Sequence, residues 1–257
     1  MSRAPELHIF SDPQELAAKA ADFVLWAGEQ AMADRDRFYV ALSGGSTPKA
    51  LYSILASPGY APRLDWSKVH FLFGDERSVP PSHPDSNFAM ANEVLFTPLR
   101  IPSTQIHRMR GEDQPEMAAA EYEDTLRRLT ATPPGPWPVL DLILLGMGDD
   151  GHTASLFPGT ASLNEDARWV IPSLAPQGTR SRLTLSLGVI NHASVILFLV
   201  TGLNKSHVVR SVIERQPTQP VLYPAGLVKP ETGRLLWYLD RTAASELSVS
   251  VQDLSSR

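Results

Sequence analysis

Asp150 and His152 stand two residues apart in the run Gly146-Met147-Gly148-Asp149-Asp150-Gly151-His152. A carboxylate beside an imidazole is a general-base unit. Histidine ordinarily titrates near pH 6.5, so at neutral pH the ring can take a proton from water. The carboxylate can fix its tautomer and favour the imidazolium formed in the transition state. Taken alone, the pair is equally well a turn with an exposed histidine. Its position is more telling. Residues 142–145 form a continuous apolar run that reads as a buried strand. In open α/β sheets, ligands gather outside the carboxyl ends of strands.

Three further segments share that placement. Ser43-Gly44-Gly45-Ser46-Thr47-Pro48 follows an apolar run at 38–42. A glycine pair ahead of a helix lets backbone amides approach an anion, and the helix N-terminus adds a positive dipole end. No lysine stands where a P-loop needs one, and G-x-G-x-x-G is missing. The functional reading is a phosphate cradle for a small ligand; the plain alternative is a tight turn. Gly74-Asp75-Glu76-Arg77 follows the apolar run 69–73 and offers a guanidinium fork suited to phosphate or carboxylate. Its plain alternative is a surface ion pair between Arg77 and Asp75 or Glu76. Arg180 and Arg182 precede one strand, and Lys205 opens a helix after another. A lysine there opposes the helix dipole, which hints at an anion nearby. Neither Ser43 nor Ser155 stands in a G-x-S-x-G elbow, so a water nucleophile is more economical than an acyl-enzyme.

Composition narrows the classes. The chain has 257 residues, enough for one large α/β domain or two small ones; we expect one domain over 1–257 with a polar, fraying tail from about 245. With no cysteine, disulfides, thiolate-bound zinc and thiol nucleophiles are excluded. The seven histidines show no metal-site spacing, so no metal is expected. The polar start lacks a signal core, and no apolar run has membrane-spanning length; a cytoplasmic protein with no membrane partner is expected. The net charge of −5 argues against nucleic acid and requires any anionic substrate to meet a locally basic pocket.

The elements that must position these residues follow from periodicity and caps. A strand is expected over 8–10, then a helix with Asp12 as N-cap, Pro13 at N1 and Glu15 closing a capping box. Strands are expected at 38–42, 69–73, 140–145, 182–187, 194–201 and 235–239. Helices are expected after a Thr47 cap, from Ser86 through Phe96, over 116–129 and over 204–214, with residues 132–138 a proline-stiffened connector. Strands alternating with helices imply a mostly parallel, Rossmann-like sheet of about six strands in a three-layer α/β/α sandwich.

Together these blocks resemble 6-phosphogluconolactonases of the glucosamine-6-phosphate isomerase/6-phosphogluconolactonase family. The resemblance rests on 43–48, on 75–80 with Ser86-Asn87, and on 146–159; Arg182-Leu183-Thr184-Leu185 and Gly202-Leu203-Asn204-Lys205 also fit it. It implies the sandwich shared with glucosamine-6-phosphate deaminase and ribose-5-phosphate isomerase. It implies hydrolysis of 6-phospho-D-glucono-1,5-lactone, the second step of the oxidative pentose phosphate pathway, without a cofactor. A monomer or a small homo-oligomer would fit. By this resemblance the catalytic residues are His152, Asp150 and Asp75. The substrate-binding set is Ser43, Gly44, Gly45, Ser46, Thr47, Arg77, Asn87, Gly148, Arg182 and Lys205. Asp150 is open between orienting His152 and holding sugar hydroxyls, and Asp75 between proton transfer and holding Arg77. Two alternatives stand beside this. A deaminase would share the Gly-Gly loop and Asp-Gly-His, but its loop runs on to an acid, which 153–159 lacks. A non-catalytic sugar-phosphate sensor would be expected to carry a further partner-binding segment.

Overall fold

The computed structural model describes residues 4–130, 137–216 and 218–248. The chain opens with β1 (Glu6–Phe10) and α1 (Pro13–Arg35). Asp12 caps α1 by accepting from the Glu15 amide at 2.8 Å. The capping box closes one residue earlier than expected: Glu15 takes the Ser11 amide and hydroxyl instead of the Asp12 amide. Next come β2 (Phe38–Leu42) and α2 (Ser46–Leu55). Here Gly45, at φ 109°, is the N-cap, and no side chain caps the helix, so the expected Thr47 cap is corrected. Pro48 still falls in the first turn, where its missing N–H costs nothing.

β3 (Val69–Phe73) runs almost directly into the three-residue β4 (Asp75–Arg77). α3 (Asn87–Ala91) continues as a π-helical turn, Asn92–Phe96, into the short α4 (Thr97–Leu99). The helix expected from Ser86 is therefore present but not uniformly α. After α5 (Pro115–Leu129), β5 (Leu142–Leu145) forms, and then the hairpin β6 (Val170–Leu174) and β7 (Ser181–Leu185). The chain finishes with α6 (Leu187–Asn191), β8 (Val195–Val200), α7 (Ser206–Ile213) and β9 (Arg234–Asp240).

Six strands form one wholly parallel sheet in the order β1-β9-β8-β5-β2-β3. The expected strand at 182–187 is not part of it. That strand, β7, belongs to a separate antiparallel sheet, β4-β7-β6, and Leu187 already lies in α6. Alternation along the buried strands splits the core in two. Phe38, Val40, Leu42, Leu142 and Leu144 face α1, α2 and α3. Tyr39, Ala41, Ile143 and Leu145 face α5, the small sheet and α7. These are the two faces a three-layer sandwich requires.

The strand order reverses beside β2, whose neighbours are β3 on one side and β5 on the other. Such a switch point opens a crevice at the strands' carboxyl ends. The connector 132–138 lies mostly outside the described residues. Within the described part of the tail, Glu246 accepts from Ser206 at 2.6 Å and the Ser248 amide donates to Glu214, which ties 246–248 to α7 and the residue after it.

Candidate active site

A cavity of 590 Å³ occupies that crevice. The ends of β2, β3, β5 and β8 and the small sheet all supply its wall: Ser43, Gly44 and Gly45; Asp75, Arg77 and Asn87; Gly148, Asp150 and His152; Arg182 and Lys205. Ser46 and Thr47 stand outside it. Ser46 is exposed at the first turn of α2, and the Thr47 hydroxyl pairs with that of Thr201 at 2.9 Å.

His152 Nδ1 lies 2.6 Å from Asp150 Oδ1, which also accepts the His152 amide at 3.1 Å. An ionised carboxylate can only accept, so Nδ1 carries a hydrogen, and in the neutral ring the lone pair is on Nε2. The loop is shaped around this pair. The Gly148 amide donates to the His152 carbonyl at 2.9 Å, and the Gly151 amide to the Gly148 carbonyl at 3.0 Å. A Cβ on Gly148 would come within 2.1 Å of His152 Nδ1, so only glycine lets the ring lie there. Phe157 flanks the ring, with centroids 4.6 Å apart.

Asp75 is buried, and it does not hold Arg77. Its carboxylate accepts from the Ser155 hydroxyl at 2.6 Å and from Asn87 Nδ2 at 3.2 Å. The ion pair considered between Arg77 and Glu76 is likewise not made: Glu76 turns inward onto backbone amides. Arg77 donates instead to the Asp85 carbonyl at 2.7 Å, while its Nε is buried without a partner. The Ser43 hydroxyl is also buried and unpartnered at the cavity wall.

Arg77 and Arg182 are directly opposed across the β4–β7 ladder. Like charges in that register repel. Burial, then the Arg77 charge, lowers the pKa of Arg182. Two opposed guanidiniums with an idle buried N–H on the cavity wall form a place for an anion. Lys205, by contrast, is already engaged. It pairs with Asp149, to which Asn204 also donates at 2.9 Å, and that lysine is the first cause of Asp149's lowered pKa.

Asp149, Ser155 and Phe157 are functional neighbours that motif reading passed over. Asp149 sits in the quoted run, but its partner Lys205 is 56 positions away and invisible to local spacing. Ser155 carries no motif of its own; its amide, hydroxyl and carbonyl tie the histidine loop to Thr184, Asp75 and Ser173.

Residues 11–237 match the family model described as glucosamine-6-phosphate isomerases/6-phosphogluconolactonase. The chain belongs to this family. A 6-phosphogluconolactonase of Nostoc sp. is 40% identical over 244 residues, covering 95% of this chain and 98% of the relative. One from Haemophilus influenzae is 39% identical over 205 residues, covering 80% and 85%. Among solved structures, a 6-phosphogluconolactonase from Trypanosoma cruzi superposes with a TM-score of 0.87 at 29% identity, covering 97% of this chain and 99% of that one. A monomeric glucosamine-6-phosphate deaminase shares the fold, with a TM-score of 0.77 at 20% identity. In this family's shared sandwich, the cavity described above lies at the carboxyl ends of the parallel strands.

Proposed function

We propose that this chain is a 6-phosphogluconolactonase, hydrolysing 6-phospho-D-glucono-1,5-lactone to 6-phospho-D-gluconate in the oxidative pentose phosphate pathway. The observation that carries the reading is the His152–Asp150 pair on the same cavity wall as the opposed Arg77 and Arg182. The one cavity offers both a base and a cationic pair suited to a dianion. The extent and identity of the matches to 6-phosphogluconolactonases support the same conclusion.

In this mechanism the phosphate sits between the Gly44–Gly45 backbone and the Arg77–Arg182 pair. The lactone carbonyl then faces His152. Nε2 takes a proton from water as the water oxygen bonds to C1. The negative charge moves to the carbonyl oxygen, where loop amides and the Lys205 N–H groups not given to Asp149 supply stabilising donors. Collapse of the intermediate breaks the bond from C1 to the ring oxygen, and His152 returns its proton to that oxygen. The new carboxylic acid ionises in water. Asp150 holds His152 in the reactive tautomer and steadies the imidazolium. Asp75 has no free role as a proton shuttle in this arrangement; it ties Ser155 to Asn87 and so joins the histidine loop to the phosphate side.

Two substrates separate this reading from the deaminase. Fresh lactone should disappear faster with protein than without, and glucosamine-6-phosphate should release no ammonia. Ammonia release without accelerated lactone opening would overturn the proposal. Tight binding of 6-phosphogluconate with no acceleration would point to a non-catalytic sensor.

A further inference from the structure

The mechanism uses Asp75 and Arg77 but not the residue between them. Glu76 is only 2% exposed and does not line the cavity. Its carboxylate is nevertheless saturated. Oε1 accepts from the Arg77 and Asn87 amides, both at 2.8 Å; Oε2 accepts from the Phe88 amide at 2.9 Å and the Ser86 hydroxyl at 3.0 Å. Asn87 and Phe88 are the first two residues of α3, where helix amides have no partner of their own. Ser86, the N-cap, spends its oxygen on the Ala89 amide at 3.1 Å. Glu76 therefore fastens the start of α3 to β4.

What that fastening holds is Asn87. Its Nδ2 donates to the Asp75 carbonyl at 2.9 Å and the Asp75 carboxylate at 3.2 Å. Its Oδ1 lies so near the Gly44 backbone that a Cβ on Gly44 would approach it to 1.9 Å. Asn87 thus touches both the Gly-Gly loop and the β4 loop, and it lines the cavity. Four donors converge on Glu76, which suits a carboxylate and not an amide. Burial pushes its pKa up, while the Phe88, Asn87 and Arg77 amides oppose that shift.

We propose that Glu76 is a positioning residue: its buried carboxylate sets Asn87 between Gly44 and Asp75 and so fixes the spacing of the phosphate-binding wall. The inference rests on the lactonase reading above. It requires that the loss of Glu76 be felt through Asn87, as weakened substrate binding in a protein that is still folded.

The test uses Glu76→Gln, Asn87→Ala, the double variant, and Ser86→Ala, which removes one of the four donors. Asp141→Asn serves as control. Asp141 is another buried carboxylate, accepting the Tyr39 amide at 2.8 Å and pairing with Arg35, but it lies before β5 and off the cavity wall. Lactone KM and kcat, thermal midpoint, and the Kd for 6-phosphogluconate are measured for each. Glu76→Gln should raise KM and Kd about tenfold, the scale of one lost charged hydrogen bond, and the double variant should be no worse than Asn87→Ala. Ser86→Ala should shift KM the same way by roughly threefold, a fraction of that. Asp141→Asn should lower the midpoint and leave KM alone. An unchanged KM and Kd in Glu76→Gln, additive losses in the double variant, or an equal KM rise in Asp141→Asn overturns the inference. If Glu76→Gln does not fold, an unchanged KM in Ser86→Ala overturns it. Wild-type protein that binds 6-phosphogluconate without turning over lactone defeats the lactonase reading, and the Kd ratios then judge Glu76 alone.

Discussion

His152 and His107 each engage one ring nitrogen, and what engages it separates chemistry from architecture. His152 Nδ1 meets the Asp150 carboxylate at a cavity wall. His107 Nε2 meets His70 Nδ1 at 3.1 Å, neither residue lining that wall, with the two rings stacked. Burial first, then His70 and Arg128, pushes the His107 pKa down to about 4; burial and Arg37 lower that of His70. A carboxylate partner prepares a ring to accept a proton. A second imidazole among arginines prepares it to refuse one. In the proposed mechanism the same residue type is a base in one region, while in the other it joins β3 to the segment that follows it.

Substitutions that break the contrast have graded effects. His152→Ala removes the base and should lower kcat by about 10²–10⁴-fold, with little change in thermal midpoint because the side chain is 33% exposed. Gly148→Ala places a methyl against Nδ1 and should lower kcat by about 10²-fold, the scale of a misplaced catalytic group; full activity would show that the Nδ1 pairing is dispensable. Arg182→Ala should leave kcat near its original value and raise KM roughly tenfold or more, as expected for a lost charge-assisted contact. A loss confined to kcat would move the phosphate elsewhere.

The smallest effect belongs to the other pair. His107 has a folded pKa below its unfolded one, so between about pH 6.5 and 4 the unfolded chain binds more protons. Stability should therefore fall as pH drops through that window. Thermal midpoints of wild type and His107→Gln, measured at pH 7 and pH 5, should show the variant losing less on acidification, with lactone KM and kcat unaltered at pH 7. Equal losses would show that the pair does not titrate with unfolding.

The same contrast separates what local sequence encodes from what it does not. β2, β5 and β8 announce themselves as apolar runs, and His152, Arg77 and Lys205 follow strand ends directly, so their gathering at one crevice is a consequence of parallel topology. β4 does not look like a strand because its three residues are charged; pairing with β7 imposes the conformation. β6 carries Pro172, which argues against a strand interior but is tolerated at the edge of the small sheet. The inward turn of Glu76 and the Asp149–Lys205 pair depend on side chains meeting across the fold, which no local spacing encodes. The 2.6 Å contact between Asp150 and His152 supports the orienting role proposed for that carboxylate.

The most direct test places both histidines in one assay. Wild type, His152→Ala and His107→Gln are each given fresh lactone at saturating concentration, with spontaneous opening subtracted. Turnover should collapse in His152→Ala alone, and His107→Gln should keep the wild-type rate. Wild-type turnover in His152→Ala would contradict the assignment of His152 as the base.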